Sequence, residues 1–131
     1  EELSILEIAN LIRRDSIKEL NLMFLKELEC VICLNMIHIA PWACTKALFE
    51  ESGDLLSKDQ LVILYGPFKT EGIHSSKSNL LFDQSLKHQN DLWGVRDLEA
   101  VTLVAVNNGF KQKFAIQMPA NNHSIIYRKT Q

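Results

Sequence analysis

Leu61-Val62-Ile63-Leu64-Tyr65 is an unbroken apolar run closed by Gly66-Pro67. A strand with one wet face would alternate apolar and polar residues, and this one does not. Such a run predicts a strand covered on both faces, the arrangement found where helices flank a mostly parallel sheet. Two further segments read the same way: Ser4–Ala9, rich in Ile and Leu, and Cys30–Met36, rich in β-branched residues.

Helical signals lie between these strands. Ser16-x-x-Glu19 is a capping box followed by Ile17, Leu20, Phe24, Leu25 and Leu28 at helical spacing, which predicts a helix over 16–28. After Pro41, the stripe Ala43, Cys44, Ala47, Leu48 predicts a helix ending before Gly53. Residues 69–78 are polar and predict a loop long enough to act as a lid or binding loop. Helical character returns over 79–88, and Asp97 is placed to cap a helix running to Asn108 with Gly109 behind it. Phe110–Met118 then alternates with period two, Pro119–Asn122 is a turn, and Ser124–Arg128 returns, which makes an antiparallel hairpin. Strands alternating with helices and ending in a hairpin define an α/β sheet with an antiparallel edge.

The chain has 131 residues and 15.0 kDa, the size of a single domain spanning 1–131. Its net charge of -2 gives no electrostatic reason for a nucleic-acid partner. No apolar stretch approaches the roughly 20 residues that cross a bilayer and no signal peptide opens the chain, so a cytoplasmic protein without membrane attachment is expected. Three cysteines without an export signal imply reduced thiols. Cys30 and Cys33 stand three apart on a predicted strand and so point to opposite faces, unable to pair. Cys30, Cys33, His38 and Cys44 approach a zinc-knuckle spacing, yet four ligands cannot converge from an extended apolar strand, and no metal is expected.

Five motifs carry a resemblance. They are Asn35-Met36-Ile37-His38-Ile39-Ala40-Pro41-Trp42, Tyr65-Gly66-Pro67-Phe68, Ser78-Asn79 with Phe82-Asp83, Trp93-Gly94-Val95-Arg96-Asp97, and Met118-Pro119-Ala120-Asn121-Asn122. In order and approximate spacing, over residues 29–131, they resemble the methyltransferase-like 26 family. That resemblance implies a Rossmann-type methyltransferase sheet and the cofactor S-adenosylmethionine (SAM). The sheet is truncated. In that fold's own strand numbering, the segments here supply strands 1-4-5-7-6, with the last strand of the chain antiparallel, flanked by helices. Ile5–Ala9 would be strand 1, Cys30–Met36 strand 4, Leu61–Tyr65 strand 5 and the hairpin strands 6 and 7. Strands 2 and 3 have no counterpart, and Asn10-Leu11-Ile12-Arg13 stands where the family has a glycine-rich loop.

Nucleotides in such sheets bind outside the carboxyl ends of the strands, where a glycine loop admits the ligand and an acid holds the ribose. Loss of three polar contacts worth about 1–3 kcal/mol each lowers affinity by two or more orders of magnitude, so SAM binding is expected to be weak or lost. By resemblance, Glu7, Asn35 and Met36 face the cofactor. His38, following a strand in an apolar setting, is either a buried structural residue or a base; its ordinary pKa near 6.5 suits the second role. By the same resemblance, Trp42, Tyr65, Asn79, Asp83, Trp93, Arg96, Asn121 and Asn122 are expected to surround a small-molecule acceptor. Several also have a plainer reading: core for the tryptophans, a helix cap with a neighbouring ion pair for Arg96-Asp97, a turn for Asn121-Asn122. Two functions follow, a methyltransferase acting on a small molecule or a non-catalytic binding or regulatory domain unable to hold cofactor. The lost strands would also leave an exposed edge at strand 1, open to self-association.

Overall fold

A computed structural model describes residues 28–131, so the predicted strand at 4–9, the predicted helix at 16–28 up to its last residue, and Glu7 lie outside the described residues. Strand β1 (Cys30–Leu34) is followed by a 3-10 turn at Ile37–Ile39 and helix α1 (Trp42–Leu55), then β2 (Leu61–Gly66). Strands β3 (Phe68–Thr70) and β4 (Ile73–His74) lead into α2 (Lys77–Gln89), and β5 (Arg96–Asp97) into α3 (Leu98–Asn107). Strand β6 (Phe110–Met118), a 3-10 turn at Pro119–Asn121 and β7 (Asn122–Lys129) complete the chain.

The principal sheet has the order β1-β2-β7-β6. β1 and β2 run parallel with Val31 opposite Val62, β7 pairs antiparallel with β2, and β6 antiparallel with β7. This is the expected α/β sheet with its antiparallel final strand. Val31, Cys33, Val62, Leu64, Ile125 and Tyr127 share one face and are buried against Leu48 and Phe49 of α1 and Val101 and Ala105 of α3. Phe49 meets Tyr127 edge-on at 5.1 Å between ring centroids and Phe110 at 5.8 Å, both favourable aromatic geometries. Among the described residues, the opposite face is less covered than the unbroken apolar run implies. Leu61, Ile63 and Tyr65 are half-buried, and Ile32 and Leu34 of the neighbouring strand are exposed.

Several boundaries differ from the sequence expectation. β1 stops at Leu34 because Asn35 takes a left-handed backbone (φ 52°), which turns the chain into the 3-10 turn that carries Met36 and His38. Segment 69–78 is not a loop. Glu71 and Gly72 both have positive φ (53° and 74°), the requirement of a two-residue hairpin turn, and they join β3 to β4. β3 also pairs in parallel with β5, setting Phe68 opposite Arg96 and Lys69 opposite Asp97, and so forms a second, three-stranded sheet of order β4-β3-β5. α2 starts at Lys77, earlier than expected, because the Ser76 hydroxyl accepts from the Asn79 amide at 3.1 Å. Asp97 does occupy the N-cap position of α3, but its side chain makes no cap hydrogen bond.

α1 runs through Gly53 to Leu55. Glycine there serves packing rather than termination: a Cβ at Gly53 would stand 3.0 Å from the Asn108 carbonyl oxygen. Lys129 donates its ammonium to the carbonyls of Gly53 and Leu56, serving the open end of the helix. Gly53→Ala is therefore expected to forfeit the roughly 1 kcal/mol that the same change yields in an exposed helix, and to lower the melting temperature rather than raise it. Thermal unfolding followed by circular dichroism checks the sign. Among the described residues no helix is long and apolar enough to cross a membrane.

Candidate functional site

At the carboxyl ends of β1 and β2 the chain makes its sharpest departures from regular structure. Asn35 donates its amide to the Tyr65 carbonyl at 2.8 Å, tying the tip of β1 to β2. The next strand residue, Gly66, has φ 154°, and a Cβ there would lie 3.3 Å from His38 Cε1 and 3.4 Å from Asn35 Oδ1. Glycine thus lets the Asn35 side-chain amide and the His38 imidazole pack against the strand tip, an approach that a Cβ would crowd. Residues Asn122–Ser124 start β7 beside it, with Gly66 opposite His123, and Asn122 donates to the Tyr65 hydroxyl at 3.3 Å. Asn79, from the first turns of α2, donates to the Asn121 carbonyl at 3.0 Å. Asn35, His38, Tyr65, Asn79, Asn121 and Asn122 are thereby gathered at one end of the principal sheet.

His38 is buried, with its ring edge-on to Phe82 at 5.7 Å and its carbonyl accepting from the Gly94 amide at 3.0 Å. Burial, reinforced by the positive charge of Arg96, lowers its pKa to about 4, well below the ordinary value near 6.5. It is neutral throughout the physiological range. A neutral imidazole of such low basicity hydrogen-bonds and orients a partner better than it removes a proton.

Asp83 is the second focus. Its carboxylate, 4% exposed, accepts from the Val95 amide at 2.8 Å, from Lys87 Nζ at 3.0 Å and from His74 Nε2 at 3.1 Å. Burial alone would raise its pKa, but the hydrogen bonds from Lys87 and Val95 and the charges of Lys87 and His74 outweigh that and hold it below the usual carboxylate value. Gly94 makes the approach feasible, since a Cβ there would meet Asp83 Oδ1 at 3.0 Å. Asp83 therefore fastens α2 to β4 and to the Gly94-Val95 segment, and so underlies the site rather than opening into it. Its i,i+4 spacing to Lys87 is legible in the sequence. Nothing local marks His74, which reaches Asp83 only through the β3–β4 hairpin.

Trp42, Trp93 and Arg96 sit apart from the strand-tip cluster. With Lys69, Lys87 and Asp97 they line an open groove of about 360 Å³. Arg96 donates Nε to the Ile37 carbonyl at 3.3 Å and Nη2 to the carbonyls of Ala40 and Leu92 at 2.7 and 2.8 Å, while its guanidinium lies 5.5 Å from the centre of the Trp42 ring. By holding carbonyls on both sides of His38, Arg96 fixes the 3-10 turn that presents that residue. Lys69 was not legible as a site residue, because it reaches the groove only through the parallel pairing of β3 with β5.

This arrangement is that of a methyltransferase-type Rossmann-like fold. Human N-acetylserotonin methyltransferase, solved in complex with SAM, superposes with a TM-score of 0.70 at 14% identity, over 79% of this chain and 30% of that one. An O-methyltransferase family 2 protein from Planctomyces limnophilus, complexed with apigenin, gives 0.68 at 14% identity over 78% and 30%. LepI in complex with SAM gives 0.65 at 10% identity over 78% and 26%, so this chain spans under a third of the length of the structures it matches. By sequence, residues 11–129 match DUF938, a family described as proteins of unknown function, and the chain belongs to that family.

Proposed function

We propose that this chain forms the acceptor side of a SAM-dependent methyl-transfer site acting on a small molecule, as its motif resemblance to the methyltransferase-like 26 family implies. The observation that carries this reading is the convergence of Asn35 and His38 beside Gly66 at the tips of two adjacent parallel strands, where sheets of this kind hold ligands. The exposed Asn35 and its neighbour Met36 are the described residues that would hold the cofactor. When bound, SAM supplies an electrophilic methyl group. Methyl transfer depends mainly on alignment of acceptor, methyl and leaving sulfur, with little acid-base assistance needed. That suits a neutral His38 acting as an orienting hydrogen-bond partner, with Tyr65 and Asn122 as further polar contacts. The groove with Trp42, Trp93 and Arg96 would receive the remainder of the acceptor.

A non-catalytic binding or regulatory domain is the second reading. It is favoured by the commitment of Asn79 and Asp83 to bonds within the protein. Calorimetric titration with SAM separates the two. Saturable binding with a Kd on the order of 1 mM, displaced by S-adenosylhomocysteine, is expected for the first. No saturable binding at ten times that concentration would leave only the second.

A further inference from the structure

We propose that the groove between β3, β5 and Trp93 binds a flat ligand bearing a carboxylate, with the anion between Lys69 and Arg96 and the planar part against the tryptophans. This assigns a chemical class to the acceptor and rests on the reading of that face as the acceptor side. At about 360 Å³ the groove has the capacity of an ordinary small-ligand site.

Two cationic groups in it lack full partners. The Lys69 side chain is only 20% exposed, yet its nearest carboxylate oxygen, Asp97 Oδ2, is 3.8 Å away, beyond hydrogen-bond reach. The Lys69 ammonium makes no hydrogen bond among the described residues, and a ligand oxygen would supply a charge-assisted one. Arg96 spends Nε and Nη2 on backbone carbonyls, which leaves Nη1 without a hydrogen bond among the described residues. Lys87 adds a third positive charge, largely answered by Asp83. Asp91 and Asp97 also line the groove, so the site favours one anionic group at the Lys69–Arg96 end over a multiply charged ligand. Trp42 is held in place by the guanidinium over its ring, and Trp93 provides a second aromatic surface.

The protein contains two tryptophans, and both line this groove, so intrinsic fluorescence reports on it directly. Benzoate and its neutral analogue benzamide are the probes, titrated in the absence of SAM. Benzoate is expected to change the tryptophan emission saturably, with a Kd on the order of 1 mM for so small a ligand. Benzamide should bind about tenfold more weakly, because it cannot form charge-assisted hydrogen bonds. Lys69→Gln should weaken benzoate by about tenfold and leave benzamide unchanged. Arg96 is left intact because it supports three backbone carbonyls. Equal affinity for the two probes, or no saturable change with benzoate, would overturn the proposal even where Lys69→Gln fails to fold. Because the titration contains no cofactor, its failure leaves the calorimetric result with SAM standing, and the converse also holds.

Discussion

Asp83→Ala is expected to destabilise the protein by about 3–5 kcal/mol, the range for removing one member of a buried charged cluster. The magnitude comes from what is left behind. His74 Nε2 and the Val95 amide would each face an empty space, and a buried donor stripped of its acceptor costs about 1–3 kcal/mol. Lys87 contributes little of the total: its side chain is 54% exposed, so its ion pair with Asp83 is screened by solvent. Asp83→Asn separates these contributions, because the amide oxygen can still accept from Val95. It should cost only about 1–2 kcal/mol. Denaturant unfolding read by circular dichroism measures both, and a loss below about 1 kcal/mol for the alanine variant would show that Asp83 does not hold α2 in place.

The pH dependence of the wild type has a matching sign. A carboxyl whose pKa is lowered on folding stabilises above its unfolded pKa, near 3.9, and the contribution disappears as pH falls through the lower folded value. Asp83→Asn should remove that part of the acid sensitivity.

His38 governs a higher pH window. Its pKa is near 6.5 in the unfolded chain and about 4 in the fold, so between those values the unfolded state binds the extra proton. Stability therefore falls as pH drops from about 6.5 towards 4, by as much as roughly 3 kcal/mol at the lower limit. His38→Gln should flatten the stability profile in that interval, although the variant itself is less stable at pH 7 through imperfect packing against Phe82. Superimposable wild-type and variant slopes between pH 4 and 6.5 would mean that His38 titrates normally and is accessible to water. Should turnover of an acceptor be found, its rate should show no ionisation near 6.5 attributable to this residue.

His38 also illustrates how much could be read in advance. Its place after a buried strand was visible from the apolar run before it, but its pKa was not. The ordinary value near 6.5 holds for a solvated imidazole, whereas enclosure by Phe82, Gly66 and the Gly94 segment brings together residues from three distant parts of the chain. Gly53 shows the opposite failure. Read locally it marked a helix end, yet the helix continues because the glycine admits the Asn108 carbonyl, a contact with no signature in the helix's own sequence. The β3–β4 hairpin reads locally as a loop because Glu71, rather than Asn or Asp, occupies the first left-handed position of its turn.

Periodicity along the backbone was enough to set the alternation of strands and helices and the antiparallel finish, because an apolar pattern of period two or 3.6 is a local property that burial must respect. Which polar side chains meet was settled by folding alone. Lys69 meets Asp97 through a parallel pairing across 28 residues, and His74 joins Asp83 through a hairpin. Gly66 receives Asn35 and His38 against it only when the tips of β1 and β2 lie side by side. Contacts of this kind depend on strand register and crossover, which are chosen by the whole core at once and leave no mark in any single stretch of residues.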